Sequence, residues 1–136
     1  MKIKIQPDIE RAKSIMNLLK EREKIIETLI NTDFPATILE NYYEIIKELI
    51  TSIMYIDGFK TTGEGAHIEA IDHLKNYSEF SEYELYIINE LRKNRHGSQY
   101  YGKIPNPEFI EENKSDFKKI IEKLKKIANS KVQNNI

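Results

Sequence analysis

The chain holds 136 residues, of which 40% are hydrophobic and 32% charged, with a formal charge of −1. This composition fits one globular domain and excludes a disordered or fibrous chain. With no cysteine present, disulfide frameworks, thiolate nucleophiles, iron–sulfur clusters and Cys-ligated zinc are excluded as well.

The N-terminal segment Met1–Lys13 alternates charge and aliphatics. It lacks a secretory apolar stretch, and no run in the chain approaches the roughly 20 apolar residues of a membrane helix. The expected setting is the cytoplasm, without membrane contact. Clean strand alternation is confined to Lys2–Ile5. A first helix is predicted after Pro7–Asp8, since proline and an acid suit the positive end of a helix dipole. Its apolar stripe is Ile9, Ala12, Met16, Leu19, Ile26 and Ile30, at helical steps. A second stripe, Ile15, Leu18, Ile25 and Leu29, predicts cover on more than one side.

A second helix is predicted from Pro35 to about Asp57, where Gly58 stops it. It is the most apolar element, through Ile38, Tyr42, Ile45, Leu49, Ile53 and Ile56, and belongs at the bundle centre. Tyr42 is expected in the core and Tyr43 partly exposed. The Gly63-Glu64-Gly65 segment lacks the strand and lysine of a phosphate loop and reads as a flexible link. A short helix then runs from Ala66 to about Asn76. Ser81 with Glu84 forms a capping box for a fourth helix, with Leu85, Ile88 and Leu91 inward, ending before Gly102. Pro107 opens a fifth, carrying Phe117, Ile120, Ile121, Leu124 and Ile127. A frayed polar tail is expected from about residue 129 to 136. The predicted fold is all-α: an antiparallel four- to five-helix up-down bundle with two long helices, forming a single domain over residues 1–136.

Charge is unevenly placed. Glu79–Glu90 holds four Glu and no base, whereas Arg92, Lys93, Arg95 and Lys103 follow with no acid among them. The seven lysines between Lys114 and Lys131 read as the solvated face of the last helix. The Arg92–Tyr101 segment, with two arginines, a histidine, polar groups and two tyrosines, is poor core material and reasonable site material. Its bases can meet phosphate, and Tyr100 or Tyr101 can stack on a nucleobase or pack on a partner. His67 and His73 are six apart and do not converge on a helix, and no metal site is expected.

The segment Leu91–Gly102 resembles the signature region of the HEPN superfamily, small helical-bundle domains of higher eukaryotes and prokaryotes named for nucleotide binding. Asn41–Glu48 through Asp57–Lys60 is similar to the second helix and turn of archaeal and bacterial members, and Gly65–Ile68 to the start of their third helix. The resemblance covers roughly residues 8–128. It implies a homodimer that binds RNA or a nucleotide without a cofactor, and it suggests the toxin-side partner of a minimal nucleotidyltransferase.

The family's ribonuclease signature is an arginine followed about four to six residues later by a histidine, acting without metal. Here Arg95 stands at the arginine position and Tyr100 where the histidine would be. The resemblance gives catalytic roles to Arg95, His96 and Tyr100, with Arg92, Lys93, Ser98, Gln99 and Tyr101 contacting RNA or nucleotide. It also makes Tyr100 or Tyr101 the candidate for modification by the transferase. Two alternatives stand beside the binding module: an active metal-independent endoribonuclease toxin, and a non-catalytic helical scaffold.

Overall fold

The structure, a computed structural model, describes residues 1–134. It contains β1 (Lys2–Lys4), α1 (Ile9–Leu29), α2 (Pro35–Asp57), β2 (Phe59–Thr61), α3 (Ala66–His73), α4 (Glu82–Tyr101) and α5 (Pro107–Asn134), with one 3₁₀ turn, Leu74–Asn76, after α3. The all-α reading holds, with the addition of an antiparallel ribbon that pairs Ile3 with Lys60. Its first strand is the segment that alternates; its second, only three residues long, offers no periodicity of its own.

α2 lies at the centre, packed against α1, α3, α4 and α5. The reason is composition: with residues such as Leu39, Ile45, Ile46, Leu49, Ile50 and Ile53 all buried, the helix is apolar nearly all round. It ends at Gly58, whose φ of 85° is left-handed. A Cβ there would stand 3.0 Å from the Ile5 carbonyl oxygen, while the Ile5 N–H donates to the Gly58 carbonyl at 2.8 Å. The glycine thereby lets the N-terminal strand lie across the end of α2.

α1 is covered unevenly. Ala12, Leu19 and Ile26 are buried and, of the second stripe, Ile15 and Leu29 pack against the core, whereas Leu18 and Ile25 face outward. The wider cover predicted from that stripe is thus met only in part. α1 packs mainly against α2, and Lys125 of α5 pairs with Glu23 at 3.2 Å. α4 begins with the predicted capping box, Ser81 and Glu84 bonding reciprocally. Its inner face is Ile87, Ile88 and Leu91, with Leu85 only half-buried.

α5 corrects the sequence reading most. At 28 residues it is the longest helix and remains helical through Asn134, where fraying was expected from about residue 129; residues 135 and 136 lie outside the described part. The cause is a tertiary tie. The Lys131 ammonium reaches Asp57 at the end of α2 at 2.8 Å. His73 Nε2 meets the same carboxylate at 2.8 Å and the Tyr77 hydroxyl donates to it. Burial works to raise the Asp57 pKa, but the hydrogen bonds from His73, Lys131 and Tyr77 outweigh it and hold the carboxyl at about 2.

Candidate functional site

Arg92, Arg95, His96 and Tyr100 spread over an arc of about 140° of the circumference of α4, with Arg95 and Tyr100 at its two edges. Opposite this arc stands the 63–65 turn, two of whose glycines take positive φ, and the first turn of α3. Between them lies an open cleft of about 340 Å³, lined among others by Glu64, His67, Arg92, Arg95, His96 and Tyr100. The turn read as a mere link is therefore a wall of the cleft.

Arg95 sits deepest, with its side chain 14% exposed. Its Nε donates to Glu40 Oε2 at 3.0 Å, and its Nη2 donates to Glu44 Oε1 at 3.1 Å and to Glu40 Oε1 at 3.5 Å. The guanidinium also lies over the Tyr43 ring, 5.3 Å from its centroid. Two carboxylates of α2 thus occupy the fork of the arginine that the sequence singles out as catalytic. Lys47 pairs with Glu44 at 2.9 Å and balances the second acid.

Tyr43, expected to be partly exposed, is fully buried, because its ring closes the space between Arg95 and His67. Burial raises its hydroxyl to about 12, against the opposing pull of Arg95 and Arg92. It therefore stays a phenol, and its hydroxyl is hydrogen-bonded to His67 Nδ1 at 2.5 Å. Burial and then the charges of Lys47 and Arg95 lower the His67 pKa from its ordinary value, which favours a neutral imidazole.

The outer part of the cleft is less engaged. The hydrogen bond of Arg92 runs from Nε to Asn89 Oδ1 at 3.4 Å. Among the described residues its two terminal amino groups hold no partner. The rings of His96 and Tyr100 lie 4.7 Å apart, and neither side chain makes a hydrogen bond among the described residues. Free guanidinium donors beside an open imidazole and an exposed phenol suit an anion that carries a flat ring.

The other four residues named from the sequence do not line this cleft. Lys93 turns away and meets Glu90 at 3.6 Å. Ser98 and Gln99 are also absent from the lining. Ser98 falls on another side of α4, whereas Gln99, four residues after Arg95, shares the side of Arg95 and Arg92 without bordering the cleft. Tyr101 is exposed at the helix end, its ring 5.7 Å from that of His96. His96, which a regular helix turns about 100° from Arg95, nonetheless borders the same cleft, because Arg95 reaches inward to α2 while His96 stays at the rim.

Sequence reasoning missed Glu40, Glu44 and His67. The available signal was a pair of acids four apart in the most apolar helix, where unpaired charge is costly. His67 and His73 do diverge as expected: the first bonds to Tyr43 and the second to Asp57. No helix among the described residues is long and apolar enough to cross a membrane. Compared with protein-family models, with curated proteins and with solved structures, the chain matches none.

Proposed function

We propose that the chain is a HEPN-like module that binds RNA or a nucleotide in the cleft between α3 and α4. The observation that carries this reading is Arg92: a half-buried guanidinium at the cleft wall with both terminal amino groups unengaged, beside the open rings of His96 and Tyr100. An up-down arrangement of the bundle, a homodimer and a minimal nucleotidyltransferase partner belong to the same reading through the resemblance of Leu91–Gly102. In that setting the exposed phenols of Tyr100 and Tyr101 are the groups open to modification.

Binding is favoured over cleavage by the state of Arg95. An arginine that stabilises charge on a reacting phosphate needs a free fork, and here its Nε and Nη2 donors are already held by Glu40 and Glu44. The test is incubation of the protein with labelled RNA in EDTA, following both retention and cleavage, with Arg95→Ala in parallel. The binding reading expects retarded but intact RNA. Fragments with cyclic phosphate ends, lost in Arg95→Ala, would replace it with the metal-independent ribonuclease. If RNA is neither bound nor cut, the helical scaffold remains.

A further inference from the structure

The two acids that fill the Arg95 fork differ in how firmly they are held. Glu44 has a side chain only 9% exposed and is gripped a second time by Lys47 at 2.9 Å. Glu40 is 39% exposed. Among the described residues, its hydrogen bonds and ion pairs all go to Arg95. Its carboxylate lies against Arg95 with two oxygens on two nitrogens, which is the geometry a phosphate would take on the same fork. An ion pair at the edge of solvent is weak and exchangeable, whereas the buried Glu44 contact is not easily opened.

We propose that Glu40 is a built-in competitor for the anionic ligand of the cleft: a phosphate of the bound strand takes the Arg95 fork only when the Glu40 carboxylate leaves it, while Glu44 keeps the guanidinium in place. This rests on the RNA-binding reading and adds a selection rule to it. With Glu40 seated, the first cation that an arriving phosphate meets is Arg92, and the charge of Arg95 is cancelled. A ligand with a single phosphate gains Arg92 alone. One with two phosphates spaced along the cleft gains Arg95 as well by displacing Glu40. The site therefore favours strands and oligophosphates over monophosphates.

The experiment is fluorescence anisotropy of a short labelled oligouridylate with wild type, Glu40→Gln and Glu40→Asp, across a salt series. Glu40 is partly exposed, so both variants retain the fold, which thermal melts verify. Glu40→Gln is expected to tighten binding about three- to tenfold through relief of like-charge repulsion. Its salt dependence should stay close to that of wild type, because the bound strand contacts Arg95 in both proteins. Glu40→Asp, which keeps the charge, should bind like wild type. If wild type binds and Glu40→Gln binds no tighter, the competitor role is overturned and the binding reading stands. Binding by Glu40→Gln alone supports it in its strongest form. If neither protein binds, both ideas fall together.

Discussion

Arg95 and Asp57 illustrate how a buried charge decides its surroundings. Each is enclosed, and each is compensated by side chains from distant parts of the chain: Glu40 and Glu44 for the arginine, His73, Tyr77 and Lys131 for the aspartate. Burying a charge without such partners costs far more than a surface ion pair returns. The depressed pKa of Asp57 makes a stability prediction. Its folded value of about 2 lies below the ordinary carboxyl value of 3.8. The stabilisation is therefore complete above about pH 4 and is lost as pH falls through about 2. Asp57→Asn should cost about 2 kcal/mol at neutral pH. In urea melts, the gap between variant and wild type should shrink steadily below pH 4. A gap that stays constant down to pH 2 would mean that the carboxylate charge is not what holds the knot.

Which residues were legible follows from the same contrast. Arg92–Tyr101 stood out in the sequence because a dense polar and aromatic mixture within one helix is a local property. The partners Glu40 and Glu44 lie 55 and 51 positions from Arg95, so their pairing is a product of how α2 meets α4. Tyr43 was misjudged for the same reason, since nothing in its own helix indicates the arginine and histidine that enclose it.

At the scale of elements, starts and stops were the most readable features, because each depends on one or two residues. Asp8 caps α1 by accepting from the Arg11 N–H at 3.0 Å, Ser81 and Glu84 cap α4, and Gly102 ends it in a left-handed conformation. The exception is the far end of α5. Its polar composition suggests fraying, whereas Lys131 ties it to Asp57 and lies over the Tyr77 ring. Gly58 joins the two kinds of information, being both a local stop and a point of close approach. Gly58→Ala would impose a positive φ on a residue with a Cβ and press that atom on the Ile5 carbonyl. The expected loss is about 1–3 kcal/mol, a fall of several degrees in the thermal midpoint. Faster hydrogen exchange at the Ile5 amide, which bonds to Gly58, should accompany it. An unchanged midpoint would show that β1 and the start of α1 do not depend on this crossing.

For the molecule as a whole, the sequence already indicated α2 as the centre, since an element apolar nearly all round has to be surrounded. The cleft was not legible as a place. It arises where a glycine-bearing turn after β2 faces the last turns of α4, and neither segment shows that arrangement by itself. The account of function rests on this meeting point, and above all on the unengaged terminal amino groups of Arg92. The most direct test is a salt titration of oligoribonucleotide binding, in EDTA, by wild type and Arg92→Ala. The account predicts about tenfold weaker binding in the variant and a log–log salt slope shallower by about 0.7, the loss of one phosphate contact on a single strand. Binding that keeps both its affinity and its salt slope without Arg92 would contradict the cleft as the site.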